Sequence, residues 1–307
     1  MKKILKVLGA VLSLIGAAWL AIFLWPVKER PERAFYRPDD PEVLVIAHRG
    51  GRGLAPEGTM VAFDNAVSLG ANVLEYDTHL TNDGHLVVIH DDTVERTTNG
   101  IGKVNEMTLE EVQMLDAGYY FTDDNDEYTF RDQGVYIPTI EELFQKYPNM
   151  RHLIELKDTN APELYEDMIQ ELWSLIQEYN MEDNVMVGSF KHEINERFEE
   201  VSGGRVPVGA GEDAVRDFAT KHVAFLNGLA GSTVDSLQLP TEGDGFDLTT
   251  NNIIQSAKAR KMSIYYWTIN DKETMRELIE KNVDGIMTDY PDLLIEVLDE
   301  MKIHKIK

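Results

Sequence analysis

The 307-residue sequence contains no cysteine, which excludes disulfide bonds, thiolate-bound zinc and a cysteine nucleophile. Basic residues are scarce: 29 Lys and Arg stand against 54 Asp and Glu, and the formal net charge is -25. The phosphates of nucleic acid and anionic lipid headgroups repel so acidic a chain. We therefore expect no nucleic-acid partner, whereas an acidic surface suits a protein that uses divalent cations.

Glycine-rich nucleotide-binding loops are also missing. The glycines of HRGGRG at residues 48–53 have neither the spacing nor the following helix of a dinucleotide-binding or Walker loop. The length suits a single large domain, since barrels of alternating strands and helices commonly run to ~250 residues.

One uncharged stretch, from Val7 to Trp25, differs from the rest of the chain. As an α-helix rising ~1.5 Å per residue it would cross a ~30 Å hydrocarbon core. No cleavage site with small residues follows, so the sequence favours an uncleaved anchor over a cleaved signal peptide. We predict a single-pass helix in the cell membrane over residues 1–25. Lys and Arg flank it on both sides, but its short N-terminal tail favours an extracytoplasmic folded domain.

The segment 26–42 contains four prolines and charges of both signs. Such composition is typical of a linker, so we predict a tether here and a barrel domain over 43–307.

Beyond the tether, nine apolar runs are candidate strands, separated by helical or loop segments. They cover Val43–Ala47, Val73–Leu74, Leu86–Ile89, His152–Leu156, Val185–Gly188, Val206–Gly209, Val234–Leu237, Ile264–Trp267 and Val283–Met287. A closed parallel barrel needs eight, so one run belongs to the hairpin that the Asn82–Gly84 turn predicts, or to a rim. The alternation favours an α/β barrel over an open doubly wound sheet.

Helix signals separate these runs. Helices are predicted over Thr59–Gly70, Met107–Leu115, Thr139–Tyr147 and Glu163–Tyr179, the second and third starting with capping boxes. Residues 92–137, which include an aspartate-, tyrosine- and glycine-rich stretch without periodicity, are predicted to be a small insertion near the site.

Ionisable residues gather where the first apolar runs end. Glu75 and Asp77 are two residues apart on a strand and so face the same way, which lets one strand offer two hard oxygen ligands to a cation. Glu155 ends another strand and supplies a third carboxylate. The competing interpretation is a solvated strand end with ion pairs.

His48 and His90 each follow a strand by one residue. Two histidines beside carboxylates suit a general base and a general acid that work near neutral pH. Arg49 and Lys157 are cations suited to holding a phosphate, unless they serve only to balance charge. Trp267 is either an apolar wall of the pocket or barrel packing.

The motifs resemble those of the glycerophosphodiester phosphodiesterases, within the phospholipase C-like phosphodiesterase superfamily. HRGGRGLAPEGT is similar to the family's opening block, and LEYDTHLTNDGHLVVIHDDTVERTTNG to its second. LIELK, VGSFK, YYWTIN and VDGIMTDYP resemble later blocks in the expected order, over residues 43 to 299. The resemblance implies a TIM (β/α)8 barrel with a small insertion, and hydrolysis of glycerophosphodiesters to glycerol 3-phosphate and an alcohol.

The resemblance also implies roles for single residues. His48 and His90 match the catalytic acid and base pair, and Arg49 and Lys157 the phosphate ligands. One divalent cation, Mg²⁺, Ca²⁺ or Mn²⁺, is expected on Glu75, Asp77 and Glu155. Gly58 stands where the family pattern has asparagine, a departure that bears on the loop geometry and on activity.

Two other functions fit the same residues. One is lysophospholipase D-like or phospholipase-like activity on membrane lipid, for which the anchor would hold the site near its substrate. The other is a catalytically weakened barrel that only binds phosphodiesters.

Overall fold

The computed structural model describes residues 2–231 and 234–303. Its strands are β1 (Leu44–Ala47), β2 (Val73–Leu80), β3 (Leu86–Val88), β4 (Arg151–Leu156), β5 (Val185–Gly188), β6 (Ser236–Leu239), β7 (Glu242–Gly243), β8 (Phe246–Asp247), β9 (Ser263–Tyr266) and β10 (Gly285–Thr288). Its helices are α1 (Lys2–Phe23), α2 (Met60–Leu69), α3 (Leu109–Gln113), α4 (Ile140–Lys146), α5 (Tyr165–Glu178), α6 (His192–Ser202), α7 (Glu212–Val223), α8 (Asn251–Lys258), α9 (Lys272–Glu280) and α10 (Pro291–Glu300).

The main sheet is a ring of parallel strands in the order β5, β4, β2, β1, β10, β9, β6. The ring closes through residues 206–209, where Val208 forms a parallel bridge with Val187 and Gly209 one with Ser236. With this segment, the described residues provide the eight parallel strand positions of a TIM barrel, so the predicted fold class is confirmed. The ninth candidate run is β3, which pairs antiparallel with the end of β2, as the Asn82–Gly84 turn predicts.

Local sequence signals explain the helix boundaries. The side chains of Thr108 and Thr139 each accept a hydrogen bond from the backbone N–H three residues ahead. The side chains of Glu111 and Glu142 accept one from the backbone N–H of these threonines, which completes the predicted capping boxes. Gly70 ends α2 with φ 98°, a left-handed conformation that a glycine adopts without steric cost. Predicted and observed helix bounds differ by one or two residues at most ends.

The insertion has a small core of its own. Residues from β3 and from the segment between β3 and α4 bury a shared apolar cluster, comprising Val87, Ile89, Val94, Val104, Val112, Ala117, Val135 and Ile137. This packing fixes the segment that follows β3, and with it the position of His90.

The N-terminal ends of the strands form the base of the barrel, and part of the predicted tether packs there. Phe35 is 1% exposed and lies in the inner barrel core with Leu44, Met186 and Tyr265. Arg33 pairs with Asp235, just ahead of β6, at 2.9 Å between Nε and Oδ1. The segment 26–42 thus contacts the barrel, while its role as a tether stays a prediction.

Helix α1 is 22 residues long, and its length and apolar composition are sufficient to cross a membrane. A signal sequence near an N-terminus has the same properties. In this structure α1 has no buried residue, and its C-terminal end contacts the segment between α7 and β6.

Candidate active site

The first and last barrel strands bring together a histidine and an aspartate. His48 directly follows β1 and Asp289 directly follows β10, and Ala47 pairs with Thr288 in the ladder between these strands. His48 Nδ1 lies 2.6 Å from Asp289 Oδ1, and both side chains are buried. A carboxylate on Nδ1 fixes the imidazole tautomer so that Nε2 carries the lone pair. His48 is thereby prepared to accept a proton at Nε2.

Two further groups hold the carboxylate of Asp289. Arg52 Nε donates to Oδ1 and Asn270 Nδ2 donates to Oδ2, each at 2.8 Å. Burial opposes ionisation, but the hydrogen bonds with His48 and Arg52 lower the pKa of Asp289 to about 2. Asp289 is therefore a charged partner for His48 throughout the neutral pH range.

Three carboxylates converge beside this pair. Glu75 and Asp77 are 5% and 4% exposed on β2, and Asp77 pairs in register with Glu155 on β4. Burial and the Asp77 charge raise the pKa of Glu155 to about 8, and raise the pKa of Glu75 well above its usual range. These shifts indicate a buried site with more negative charge than its two cations neutralise.

Two cations lie among these acids. Lys157 Nζ is 3.0 Å from Glu155 Oε1 and 3.5 Å from Asp77 Oδ1. Arg49 Nε is 3.1 Å from Asp77 Oδ2, and its backbone N–H donates to Glu75 Oε2 at 2.8 Å. Although burial opposes the shift, Lys157 and Arg49 lower the pKa of Asp77. The cations are thus held by the carboxylates in the ligand-free site.

The donor set fits a hard divalent cation in its chemistry. Asp77 Oδ2 and Glu155 Oε1 are buried and accept no hydrogen bond, having only the ion-pair contacts with Arg49 and Lys157. Buried carboxylate oxygens with free lone pairs are the ligands that Mg²⁺ and Ca²⁺ prefer. Within residues 2–231 and 234–303, however, no three His, Asp or Glu side chains are already arranged around a common metal position.

His90 reaches the site from the insertion side. Its Nδ1 lies 2.6 Å from Asp91 Oδ1. Arg96 donates hydrogen bonds to both Asp91 and Glu57, and Glu57 also accepts one from Arg49 Nη1 at 3.0 Å. Burial lowers the pKa of His90. A continuous series of charged contacts therefore links His90 to Arg49.

A cavity of about 440 Å³ opens at the C-terminal ends of the strands and collects the sequence-predicted residues. All eight line it: His48, Arg49, Glu75, Asp77, His90, Glu155, Lys157 and Trp267. Apolar side chains also line the cavity, namely Phe190, Val215, Ala219, Phe246, Leu248 and Trp267, together with the charged Glu212, Arg216 and Asp244. Trp267 packs edge-to-face on Phe190, with ring centroids 5.8 Å apart, and also packs against the inner barrel core, so it has both of the predicted positions.

The match to a family model carries the identification. Residues 48–293 match the glycerophosphoryl diester phosphodiesterase family. The chain belongs to this family. A glycerophosphodiester phosphodiesterase of Caldanaerobacter subterraneus subsp. tengcongensis is 34% identical over 263 residues, which are 84% of this chain and 98% of the relative. By its family the chain is a phosphoric diester hydrolase that acts on glycerophosphodiesters.

Two other relatives bear on the substrate. An Oleispira antarctica phosphodiesterase, solved in complex with the product sn-glycerol-3-phosphate, is 26% identical with a TM-score of 0.69, covering 87% of this chain and all of that one. A human lysophospholipase D is 26% identical over 279 residues, 82% of this chain and 85% of the relative.

Gly58 departs from the asparagine of the family pattern, and the structure explains how the loop tolerates it. Its φ is 67°, in the left-handed region that glycine prefers and that asparagine adopts more easily than other residues. Its N–H donates to the carbonyl of Arg49 at 3.0 Å. A glycine here therefore adopts the left-handed conformation without strain and offers no side-chain amide.

Sequence reasoning missed several members of this glycerophosphodiester phosphodiesterase site. It did not single out Asp289 and Asn270, which position His48. It also did not single out Glu57, which accepts hydrogen bonds from both Arg49 and Arg96. Asp289 was detectable in principle, since it follows the last predicted strand within VDGIMTDYP. Its pairing with His48 was not, because 241 residues separate the two in the chain.

Proposed function

We propose that this enzyme hydrolyses glycerophosphodiesters to glycerol 3-phosphate and an alcohol, using a divalent cation with His48 and His90 as the acid and base pair. One observation supports the proposal most strongly: the eight residues predicted from the sequence line one cavity at the carboxyl ends of the strands. That face is where barrels of this type place their active sites.

The histidines would move the protons. His48, oriented by Asp289, presents Nε2 to the cavity, and His90 is oriented in the same manner by Asp91. One imidazole takes the proton of the attacking hydroxyl, which belongs to the substrate's own glycerol, while the other gives a proton to the oxygen of the leaving alcohol. Water then opens the resulting cyclic phosphodiester to give glycerol 3-phosphate. Both imidazoles border the cavity, one from β1 and the other from the segment after β3.

The cationic side chains would bind the phosphate. Arg49 offers a fork of donors and Lys157 a point charge, and both pair with carboxylates in this structure. Glu75, Asp77 and Glu155 would hold Mg²⁺, Ca²⁺ or Mn²⁺, which when bound neutralises charge on the phosphate oxygens. Ligation by the carboxylates would free Arg49 and Lys157 to turn toward the substrate.

A second candidate substrate is a lysophospholipid, cleaved to release its headgroup alcohol. The apolar side chains that line the cavity support it, since Phe190, Phe246 and Leu248 offer a surface for an acyl chain beside the polar site. The resemblance to a human lysophospholipase D supports it as well.

The location that we propose is the cell membrane, with α1 as a single-pass anchor and the barrel outside the cytoplasm. The length and hydropathy of α1 support the membrane-spanning anchor.

The experiment is hydrolysis of glycerophosphocholine by the full-length protein in detergent, measured as release of glycerol 3-phosphate with and without EDTA. We expect activity that EDTA abolishes and that Mg²⁺, Ca²⁺ or Mn²⁺ restores. Wild-type activity in EDTA would remove the metal from the mechanism, and binding without turnover under all conditions would identify a phosphodiester-binding protein.

Variants of the two histidines test the acid and base roles. His48→Ala and His90→Ala should each lose ~10² to 10⁴ in turnover, and the double variant much less than the product, because groups that act as a unit are not additive. His85→Ala, at the exposed turn before β3, is the control. Comparing glycerophosphocholine with lysophosphatidylcholine then separates the two substrate classes.

A further inference from the structure

An exposed apolar segment lies next to the anchor helix. At the end of α7 and in the segment that follows it, three large apolar side chains are exposed: Val223 by 42%, Phe225 by 52% and Leu229 by 54%. We call residues 223–229 the base loop. Adjacent apolar side chains that are this exposed mark a surface that contacts another body rather than water.

The C-terminal end of α1 packs on this base loop. The ring of Phe225 contacts Trp19 and Phe23, with centroids 6.4 and 6.2 Å apart. A β-carbon at position 228 would collide with the carbonyl oxygen of Ile22, so only glycine permits the close approach there. The loop therefore lies at the level where the predicted membrane-spanning helix ends.

The barrel supports the base loop rigidly. Arg260 is 1% exposed and donates to the carbonyl oxygens of Asn227 and Ala230, at 2.5 and 3.3 Å. Phe225 has φ 56°, a strained conformation for a residue with a bulky side chain, and its ring faces outward. The chain thus maintains a costly backbone conformation that exposes a phenyl ring.

The segment after α1 fixes which end of the barrel faces the helix. It contacts residues at or just before the starts of β4, β5, β6 and β9, through the pairs Asp40–Arg151, Arg37–Asn184, Arg30–Asp235 and Tyr36–Ser263. These positions all lie at the base. The active-site cavity opens at the other end, about 20 Å away for a six-residue strand such as β4.

We infer that the base loop inserts into the lipid interface beside α1, so that the barrel stands with its base on the bilayer and its active site opening away from it. The inference rests on the proposed membrane anchor. Aromatic residues at the end of a spanning helix favour the interface, and Phe225 continues this aromatic surface from the helix onto the barrel. Substrates then reach the cavity from the aqueous phase, and lipids of the anchoring bilayer do not.

The absence of cysteine makes a direct test possible, because each introduced thiol is the sole labelling site. Phe225→Cys, Leu12→Cys and Ile101→Cys would each carry an environment-sensitive fluorophore in the full-length chain, reconstituted in vesicles whose acyl chains bear bromine as a quencher. Leu12 lies within α1. Ile101, 86% exposed in the insertion that leads away from His90, is the matched apolar control.

We expect the label at position 12 and the label at position 225 to lose most of their emission to the brominated lipids, and the label at position 101 to keep it. Quenching at 12 without quenching at 225 would overturn the inference and leave the anchor intact. No quenching at 12 would instead refute the membrane anchor itself. Disulfide-linked dimers of the unlabelled Phe225→Cys variant, with 225 unquenched, would show that a second copy of the chain covers the loop.

Discussion

His48 and Asp289 form a hydrogen-bonded pair of 2.6 Å between Nδ1 and Oδ1, although they follow the first and last strands of the barrel. The pair exists only when β1 and β10, the first and last strands of the barrel in chain order, lie side by side. The pairing of these two strands therefore also orients His48.

Asp289→Asn tests the orientation of His48. The amide keeps the shape but provides no charge for the imidazole, so turnover should fall at least ~10-fold, short of the ~10² to 10⁴ loss expected when a proton-transfer group is removed. Substrate affinity should change little, since Arg49 and Lys157 remain. Steady-state kinetics on glycerophosphocholine provide the measurement. Asp284→Asn, at the opposite end of β10, is the control, and an equal loss there would assign the effect to the strand rather than to His48.

Gly58→Ala tests the left-handed loop beside Arg49. An alanine at this position would have φ 67°, and its β-carbon would lie 3.1 Å from the carbonyl oxygen of Val88. Gly134, with φ 74° and nothing within 4 Å of a β-carbon, is the matched control. The left-handed conformation alone should cost Gly134→Ala ~1 to 2 kcal/mol of unfolding free energy, and Gly58→Ala should cost more. Urea denaturation measures both, and equal losses would show that the Val88 contact relaxes freely.

His152 makes stability depend on pH. Burial between Tyr76 and Tyr147 lowers the pKa of His152 to about 4, so below pH ~6.5 the unfolded chain binds a proton that the native chain does not. The free energy of unfolding therefore has its full value above pH ~6.5, as far as His152 contributes, and it decreases as the pH falls from there toward 4. From pH 7 to 5, wild type should lose about 2 kcal/mol more of unfolding free energy than His152→Gln. Urea midpoints at both pH values test this, with His85→Gln at the exposed turn as control; equal losses in wild type and His152→Gln would exclude His152.

Phe35→Ala tests the packing of the base. Loss of a fully buried phenyl ring should cost ~3 to 5 kcal/mol of unfolding free energy. Ile101→Ala, at an exposed position, should change it by less than ~0.5 kcal/mol. A chain that begins at residue 31 keeps Phe35 and the Arg33–Asp235 pair, so it should remain folded and active without α1. Denaturant unfolding of each variant tests the series, and a negligible loss for Phe35→Ala would mean that residues 26–42 do not stabilise the barrel.

The parts of the fold that depend on local signals were predictable from the sequence. The capping residues of α3 and α4, the left-handed Gly70 and the strand-end acids follow from residue type and short-range spacing. Glu75 and Asp77 face one cavity because they are two residues apart on a strand, as predicted.

The rest depends on contacts between distant residues. The sequence predicted a short second strand over Val73–Leu74, whereas β2 extends to Leu80 because its end pairs with β3. The prolines and charges of 26–42 indicate a linker, and no local pattern shows that Arg33 finds Asp235 across 202 residues. The same limit hid the pairing of His48 with Asp289.

The ring closure at residues 206–209 has a dynamic consequence. Single-residue bridges join this segment to β5 and β6, while ladders of two to six residue pairs join the other barrel neighbours. Two backbone hydrogen bonds join this segment to β5 and three join it to the start of β6, whereas six residue pairs join β2 to β4, so its amides should exchange with deuterium before those of β2 and β4. Gly188, at the end of β5, and Gly209, at the end of the closing segment, both lie beside the side chain of Gln238, which lines the cavity. We therefore expect the barrel to open most readily on this side, next to the pocket.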